Sequence, residues 1–318
     1  MAPLSRRELL AGAAAAAFGA GLGRARGQKS RPGTREEVPL PEGTLGRTGR
    51  ALPRLGLGCF PLGELSSEEE AVALLARAFE SGARYFDTAP SYGGGRSERR
   101  VGKGLARFPR ERLFVATKTL EREGDAALAE LEESLERLGM DYVDSVQVHE
   151  VGSEEDVKSL FRKAGVVAAL ESARDKKRLR HIGVTGHRDP QFLLQAIERY
   201  PFDTALVPVN PLDCHHRSFT RDFVPKAREK GVAVIVMKVY AGGALPRQRG
   251  EVPAADLVRF ALAQGGVCVA VPGADSASRW DEARAAAVAP PPDAAEQERL
   301  IARCGPHRGK ASEWYKNA

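Results

Sequence analysis

The segment FDTAPSYGGGRSE, at residues 86–98, places an acid and a phenol, Asp87 and Tyr92, directly after a short apolar run. Two more ionisable side chains also end apolar runs, namely Lys118 in VATKT and His149 in VQVHE. An acid, a phenol, an amine and an imidazole are side chains that move protons during catalysis. Taken singly, each is as typical of a strand end or a surface loop, so their meaning depends on whether the fold brings them together.

Brought together, the four groups would suit proton transfer to a carbonyl compound. A tyrosine hydroxyl has a pKa of about 10, and a nearby lysine ammonium lowers it because the ammonium stabilises the phenolate. An aspartate paired with the lysine would hold the ammonium in place, and a histidine would donate a hydrogen bond to the carbonyl oxygen. No amino-acid side chain supplies a hydride, so reduction of the carbonyl would require a nicotinamide cofactor.

Apolar, β-rich runs alternate with amphipathic helical segments along most of the chain. The strand-like runs lie at residues 55–59, 84–87, 113–118, 142–149, 182–185, 204–209, 232–238 and 267–271. The helical segments lie at residues 67–81, 125–138, 166–176, 190–197, 223–230, 254–263 and 276–287, and a shorter one follows Ser97. Eight strands, each followed by a helix, predict a parallel α/β architecture.

This α/β pattern fits a (β/α)8 TIM barrel better than a doubly wound sheet. Residues 44–289 make up 246 residues, close to the roughly 250 of a typical barrel. A doubly wound sheet that binds a dinucleotide typically carries G-x-G-x-x-G after its first strand, and GLGCFPLG has the wrong spacing. The carboxyl ends of barrel strands surround one mouth, where active sites form. The barrel therefore predicts that Asp87, Tyr92, Lys118 and His149 converge.

The first residues of the chain predict export. Paired arginines, Arg6 and Arg7, precede an alanine-rich stretch in SRRELLAGAAAAAFGAGL, an order that resembles a bacterial twin-arginine signal. This stretch is too short and too rich in glycine and alanine for a stable membrane span. We expect residues 1–25 to be a signal peptide for the twin-arginine translocation machinery, residues 26–43 to be a linker, and the protein to be periplasmic. The alternative is an amphipathic or unstructured basic tail on a cytoplasmic protein.

The composition disfavours several other classes of protein. The formal net charge is +6, but lysine and arginine are scattered, without the basic and aromatic stripe of a nucleic-acid-binding surface. The four cysteines are far apart and form no C-x-x-C pair. His215 and His216 lack a second group of ligands at a useful spacing, so we expect no metal site. Nothing in the sequence indicates the oligomeric state.

Several motifs resemble those of the aldo-keto reductase family and occur in that family's order. The similar segments are LGRTGRALPRLGLG, DTAPSYGGGRSERRVGKGL, VATKT, VQVHE and HIGVTGH, all within residues 44–289. The resemblance implies a (β/α)8 barrel with an N-terminal hairpin and a short C-terminal tail. It also implies that Tyr92 is the general acid and base, and that Lys118 and Asp87 tune the pKa of Tyr92. His149 would orient and polarise the carbonyl group.

The same resemblance implies an extended binding site for NADP(H) at the barrel mouth, with NAD(H) as the alternative cofactor. The residues placed at this site are Gly58, Cys59, Thr185, Met237, Lys238, Gly242, Gly243, Leu245, Ser276, Arg279 and Glu282. Some positions depart from the family's pattern: Gly186 replaces an asparagine, Leu206 a glutamine and Gly273 a lysine. Met237 and Lys238 replace a tyrosine–serine pair that stacks on the nicotinamide ring. These departures leave the preference between NADP and NAD open.

Together these features predict an NADP(H)-dependent oxidoreductase that reduces small aldehydes or ketones to alcohols. A cofactor-binding sensor or regulatory barrel with slow or no turnover is the alternative, because the positions around the nicotinamide diverge and a periplasmic enzyme would meet little NADPH. The C-terminal tail, residues 290–318, carries Trp314 and Tyr315, which would either cover the substrate pocket or anchor the tail. The identity of the substrate depends on loops, where sequence patterns carry least information.

Overall fold

A computed structural model describes residues 38–247 and 252–317 of the chain. The predicted signal peptide, and the predicted linker as far as residue 37, lie outside these described residues. A hairpin comes first, in which β1 (Glu42–Thr44) pairs antiparallel with β2 (Ala51–Pro53). The strand β1 therefore begins within the last two residues of the segment predicted as linker.

Eight parallel strands follow the hairpin and form a nearly closed ring in which neighbours in sequence are neighbours in space. They are β3 (Leu57–Gly58), β4 (Tyr85–Asp87), β5 (Phe114–Thr119), β6 (Val143–Val148), β7 (Leu179–Thr185), β8 (Thr204–Pro208), β9 (Ala233–Met237) and β10 (Val267–Ala270). Parallel bridges from Leu55 to Ala270 and from Gly58 to Gly273 join the first strand to the last. The (β/α)8 prediction is confirmed, and each strand ends within three residues of its predicted bounds.

Helices connect these strands and cover the outside of the ring. They are α1 (Phe60–Glu64), α2 (Glu68–Glu80), α3 (Arg96–Leu105), α4 (Gly124–Leu138), α5 (Glu154–Leu160), α6 (Val166–Asp175), α7 (Pro190–Arg199), α8 (Val224–Glu229), α9 (Ala244–Arg247), α10 (Ala254–Ala263), α11 (Ala277–Val288) and α12 (Ala294–Cys304). Helix α2 begins as predicted, because the Ser67 side chain accepts a hydrogen bond from the Glu70 amide and caps the first turn. The sequence pattern misses α1, α5 and α9, which are too short to show a helical period, and it also misses the 11-residue α12, which lies in the segment predicted as a tail.

Two apolar cores hold the barrel together. The larger core lies between the strands and the surrounding helices. The smaller core lies inside the ring, where Leu45 and Leu52 of the hairpin segment pack with Tyr85 and Phe114. The Tyr85 and Phe114 rings stack there with their centroids 4.8 Å apart. Because the hairpin and these rings fill the amino-terminal end, the carboxyl ends of the strands are left to carry the functional groups.

The C-terminal segment folds back onto the carboxyl end of the barrel. It contains α12, which begins with a capping box between Asp293 and Glu296, a sequence signal for a helix start. Near the end of the chain, the buried Lys316 ammonium pairs with Asp213 at 3.0 Å and with Glu313 at 2.9 Å. The Asp213 carboxylate also accepts hydrogen bonds from the Thr220 amide and hydroxyl. These contacts fix the end of the chain against the loop that follows β8.

Candidate active site

Lys118 and Asp87 form a buried ion pair at the carboxyl ends of β5 and β4. The Lys118 Nζ donates hydrogen bonds to Asp87 Oδ1 at 2.5 Å and to the Thr88 carbonyl at 2.7 Å. The parallel register pairs Asp87 with Ala116, so Lys118 lies two residues further along β5 and faces the same side of the sheet. Both charged side chains are almost fully buried. Each therefore depends on the other for compensation of its charge.

Gln147 supports this ion pair from the next strand, β6. Its Nε2 donates to the second carboxylate oxygen of Asp87 at 3.1 Å and lies 3.3 Å from the Tyr85 hydroxyl. The register between β5 and β6 pairs Gln147 with Lys118, which explains why the amide reaches the carboxylate. Gln147 is not among the residues predicted from the sequence. It is a polar residue within a buried strand, two positions before His149, and this spacing indicates that both side chains face the inside of the barrel.

Tyr92 lies in a glycine-rich turn that places its ring over the Lys118 ammonium, with 4.7 Å between Nζ and the ring centroid. The three following glycines have positive φ values of 59°, 61° and 81°, a conformation that favours glycine. A Cβ on Gly93 would lie 2.4 Å from the Gly63 carbonyl oxygen. The turn therefore requires glycine both for its backbone conformation and for this close approach.

A second buried network, made of hydrogen bonds and an ion pair, fixes the glycine-rich turn that carries Tyr92. The Ser97 hydroxyl donates to the Cys59 carbonyl at 2.8 Å and lies 2.8 Å from the Thr88 hydroxyl. The fully buried Glu98 accepts a hydrogen bond from Thr117 at 2.6 Å and pairs with Arg137 at 2.5 Å. The start of α3 is thereby fixed to β5, so Tyr92 and Lys118 are attached to one rigid frame.

His149 follows β6 directly and completes the group. Its backbone amide donates to the Thr119 carbonyl at 2.8 Å, and its ring centroid lies 6.3 Å from that of Tyr92. Burial and the charge of Lys118 lower the pKa of His149 to about 3. The imidazole is therefore neutral at neutral pH, with one nitrogen that donates and one that accepts a hydrogen bond.

The pKa of Tyr92 shows two opposing effects. Burial raises the pKa of the phenol, whereas Lys118 lowers it through its charge and a hydrogen bond. Lys118 lowers the pKa of Tyr92, as the sequence predicts. The effect of burial is larger, however, so the pKa of Tyr92 is raised overall. Asp87 and Tyr92 together outweigh the burial of Lys118 and raise the pKa of its ammonium. Both shifts favour the protonated forms, a neutral phenol beside a cationic ammonium.

The residues predicted to contact the cofactor around the mouth differ in what they can offer. Thr185 ends β7, and its buried Oγ1 has no hydrogen-bond partner among the described residues. A buried polar atom without a partner is unfavourable, so this hydroxyl suits a ligand that forms a hydrogen bond there. Cys59, beside Gly58, offers no such group. Its backbone amide donates to the backbone carbonyl of Asp87, and its carbonyl accepts a hydrogen bond from the Ser97 hydroxyl. Its side chain lies in the larger core.

A second group of predicted cofactor residues lies after β9 and at the start of α11. Gly242 and Gly243 form a short turn with φ values of 65° and 84°, whereas the neighbouring Leu245 is buried in the larger core. Backbone amides in such turns suit phosphate oxygens, but the Gly243 amide already donates to the Tyr240 carbonyl at 2.9 Å. The side chains of Ser276, Arg279 and Glu282 are exposed on the first turns of α11.

The loop after β9 and the start of α11 lie side by side. Burial raises the pKa of the Tyr240 hydroxyl, the charge of Glu282 raises it further, and Arg279 opposes this. Arg279 itself pairs with Asp275 at 3.3 Å on the exposed surface. An arginine beside a glycine turn is a suitable arrangement for the phosphate groups of a dinucleotide. Met237 and Lys238, the remaining residues of the prediction, end β9 on the side of the mouth.

The described residues contain few groups for other chemistry. No set of three or more histidine, cysteine, aspartate or glutamate side chains among them is arranged to hold a metal ion. All four cysteines are free thiols, and burial raises the pKa of both Cys214 and Cys304 to about 11. Within the same part of the chain, no helix is both long enough and apolar enough to cross a membrane.

The fold and the site define a (β/α)8-barrel enzyme with an acid, a phenol, an amine and an imidazole close together at the carboxyl ends of its strands. The model of the family described as "Aldo/keto reductase family" matches residues 54–259. The chain therefore belongs to the aldo/keto reductase family, which places it among the oxidoreductases.

Similar proteins agree with this assignment. The chain is 36% identical over 220 residues to L-galactose dehydrogenase from Arabidopsis thaliana, an alignment that spans 64% of this chain and 66% of that protein. It is 29% identical over 250 residues to pyridoxal 4-dehydrogenase from Microbacterium luteolum, spanning 65% and 72% of the two chains. An aldo-keto reductase structure from Klebsiella pneumoniae, in complex with NADP and acetate, has the same fold with a TM-score of 0.68 and 23% identity, over 82% of this chain and 94% of that one.

Proposed function

We propose that the protein is an NADP(H)-dependent reductase of small aldehydes or ketones, which also oxidises the corresponding alcohols. The observation that carries this proposal is the placement of the Tyr92 ring 4.7 Å from the buried Lys118 ammonium, beside a neutral imidazole. Reduction of a carbonyl needs a proton donor at the oxygen while hydride reaches the carbon. A protonated phenol and a neutral imidazole supply a proton and a hydrogen bond there.

Each of the four residues has one role in this proposal. Tyr92 donates its proton to the carbonyl oxygen, and the Lys118 charge stabilises the phenolate that remains. Asp87 keeps the ammonium in position through the 2.5 Å hydrogen bond. His149 donates a hydrogen bond to the same carbonyl oxygen and so orients the substrate. In the direction of oxidation the Tyr92 phenolate takes the proton back from the alcohol.

The residues present fit a nicotinamide cofactor at the mouth. When bound, the cofactor supplies the hydride that no side chain provides. The Thr185 hydroxyl suits the carboxamide of the nicotinamide, because that hydroxyl is buried and without a partner among the described residues. The turn at Gly242 and Gly243 suits the diphosphate, and Arg279 at the start of α11 suits the 2′-phosphate that distinguishes NADP(H) from NAD(H). The family and the site chemistry favour NADP(H), with NAD(H) as the alternative that the first experiment resolves.

We further propose that the C-terminal segment forms one wall of the substrate pocket. Among the described residues, the exposed large apolar side chains are Val38, Phe60, Leu120 and Trp314. Phe60 follows β3, Leu120 follows β5, and Trp314 contacts Lys238 after β9, so three of the four surround the mouth. An apolar rim around a few polar groups is typical of small-molecule sites. Tyr315 is buried and anchors the segment, while Trp314 is 46% exposed and lies against the Lys238 ammonium.

A titration with NADPH and NADH, followed by a panel of aldehydes, ketones and quinones, tests the proposed activity. We expect NADPH fluorescence to change on binding, and absorbance at the nicotinamide band to fall when a carbonyl substrate is added. Binding of NADPH without turnover of any compound would favour the sensor or regulatory barrel instead. Failure to bind either nucleotide would exclude both functions.

The variant Arg279→Met refines that titration. Because NADPH differs from NADH by one phosphate, loss of a guanidinium that binds this phosphate is expected to weaken NADPH binding by about ten- to hundred-fold, the range for a charged hydrogen bond, without change for NADH. Arg299→Met, on the exposed face of α12, serves as the matched control. Equal effects on the two nucleotides would place the 2′-phosphate elsewhere.

We also propose that residues 1–25 direct export through the twin-arginine pathway, and that the barrel (44–289) and the segment after it (290–318) form the mature enzyme. The support is the paired Arg6 and Arg7 before an alanine-rich stretch. A reporter protein fused to residues 1–30 is expected to reach the periplasm, and changing both arginines to lysine is expected to retain it in the cytoplasm. Export that survives this change would argue against the twin-arginine route.

A further inference from the structure

Lys238 lies at the carboxyl end of β9 in a backbone conformation that few residues adopt. Its φ is 53°, in the left-handed region that is unfavourable for side chains other than glycine, asparagine and aspartate. Two hydrogen bonds to its carbonyl stabilise this conformation, one from the Asn210 side chain at 2.9 Å and one from the Ala241 amide at 2.7 Å. The surrounding loops therefore enforce the direction in which this lysine leaves the strand.

The Lys238 ammonium lies against aromatic rings rather than acidic groups. Its Nζ is 4.7 Å from the Trp314 ring centroid and 5.9 Å from that of Tyr315. Within the described residues it makes no hydrogen bond through Nζ and has no carboxylate within 4.0 Å. Ring faces attract a cation, but they do not accept the strong hydrogen bonds that an ammonium forms with oxygen atoms.

Two fully buried lysines at this end of the barrel are arranged differently from Lys238, which is half-buried. Lys118 pairs with Asp87 at 2.5 Å, and Lys316 pairs with Asp213 and Glu313 at 3.0 and 2.9 Å. A charge that is removed from water is normally matched by a partner of opposite sign. Lys238 is half-buried against Trp314 and Tyr315 and lacks such a partner among the described residues, which indicates that a ligand supplies the matching anion.

The charge of Lys238 interacts with two charged residues of the candidate active site, Lys118 and Glu150. Burial is the largest cause that lowers the pKa of Lys238, the charge of Lys118 lowers it as well, and Glu150 opposes them. Glu150 is nearer to other groups, since its Oε1 lies 3.9 Å from the His149 ring and 3.7 Å from the His187 ring. Lys118 and Glu150 therefore act electrostatically on Lys238, and Glu150 lies beside His149.

We propose that Lys238 binds an oxyanion carried by the substrate, so that the enzyme prefers carbonyl compounds that bear a carboxylate or phosphate group. This inference rests on the proposed carbonyl reduction and names the substrate class for the same site. The carbonyl group would lie at Tyr92 and His149, and the anionic group would reach toward Trp314, where Lys238 meets it. The diphosphate of the cofactor is the other candidate oxyanion, and the experiment separates the two.

Steady-state kinetics with a matched pair of aldehydes tests this preference. The pair is 4-oxobutanoate, which carries a carboxylate, and its neutral methyl ester. In Lys238→Met we expect KM for 4-oxobutanoate to rise by about ten- to hundred-fold, the range for loss of a hydrogen bond to a charged group. Because this inference assigns Lys238 to the substrate and not to the cofactor site that the family resemblance implies, KM for the methyl ester and Kd for NADPH are expected to stay unchanged. Lys176→Met, an exposed lysine next to the C-terminus of α6, is the control.

Two outcomes of this comparison would overturn the inference. Equal changes in KM for 4-oxobutanoate and for its methyl ester would show that Lys238 does not bind the substrate's carboxylate. A weaker Kd for NADPH, by the same factor as the change in KM, would assign Lys238 to the cofactor diphosphate instead.

A binding measurement without turnover separates this inference from the proposed function. The chain has two tryptophans, and Trp314 lies beside Lys238, so we expect succinate to change the tryptophan fluorescence in a saturable manner. The change should be absent in Lys238→Met and Trp314→Phe and present in Lys176→Met. If the protein reduces no carbonyl but shows this response, the proposed function fails and the anion site stands. If it reduces carbonyls but wild type and Lys238→Met respond alike to succinate, the anion site alone is wrong.

Discussion

Replacement of Tyr92 by phenylalanine is expected to lower kcat for carbonyl reduction by about 10²- to 10⁴-fold, the range for loss of a general acid. The variant keeps the ring that lies over the Lys118 ammonium at 4.7 Å. It loses only the hydroxyl that would protonate the carbonyl oxygen. Because the ring remains, the Kd for NADPH and the thermal stability should change little. The measurement is NADPH oxidation with the best substrate of the panel, together with a fluorescence titration of NADPH.

Tyr142→Phe is the matched control for this variant. Tyr142 lies just before β6, at the opposite end of the barrel from the mouth, and its hydroxyl accepts a hydrogen bond from Arg180. This control should retain the wild-type kcat. If Tyr92→Phe retains it as well, while NADPH binds normally, Tyr92 is not the proton donor and the proposed mechanism is wrong.

The pH dependence of reduction offers a second view of Tyr92. Burial raises the pKa of this phenol above its ordinary value even though Lys118 opposes the shift. A group with a raised pKa stays protonated as the pH increases, so the acid form that reduction requires persists through the neutral range. The pKa of His149, lowered to about 3, leaves the imidazole neutral over the same range. We therefore expect kcat for reduction in the wild type to be nearly constant from about pH 6 to 9.

The sequence predicted the barrel and the position of its four polar strand ends because both depend on local patterns. Alternating strands and helices specify the fold class, and a parallel barrel brings the ends of its strands to one mouth whatever the loops do. Asp87, Lys118 and His149 each lie within one residue of a strand end, so the fold alone brings them near one another. Tyr92 follows in a turn whose glycines are visible in the sequence.

The remaining features depend on contacts between distant parts of the chain. The ion pair between Lys316 and Asp213 joins residues 103 positions apart, and no local pattern indicates it. The same is true of Trp314 against Lys238. The direction of the pKa shift of Tyr92 could not be predicted from the sequence either, because it depends on how far burial outweighs the charge of Lys118. Gln147 is an intermediate case, since its inward position followed from strand alternation but its bond to Asp87 did not.

Removal of the Lys118 charge is expected to destabilise the protein as well as inactivate it. In Lys118→Met the Asp87 carboxylate stays buried without its cation, and breaking one partner of a buried ion pair typically costs about 3–5 kcal/mol of unfolding free energy. The Thr88 carbonyl also loses its hydrogen bond. Urea denaturation followed by circular dichroism measures the change. Lys103→Met, which breaks an exposed ion pair with Glu68, is the control and should change the stability little.

The double variant Lys118→Met with Asp87→Asn separates the structural from the catalytic role of the pair. Neutralising both partners removes the uncompensated charge, while the Gln147 amide can still donate to the side-chain oxygen of the new amide, in the place where it meets Asp87 in the wild type. We expect the double variant to regain much of the stability that Lys118→Met loses, because burial of two neutral groups avoids the cost of an unpaired ion. Its kcat should stay as low as that of Lys118→Met, because the Tyr92 phenolate still lacks a stabilising cation. A double variant that is no more stable than the single one would show that the ion pair does not compensate a buried charge, and one that regains activity would show that Lys118 only positions the site.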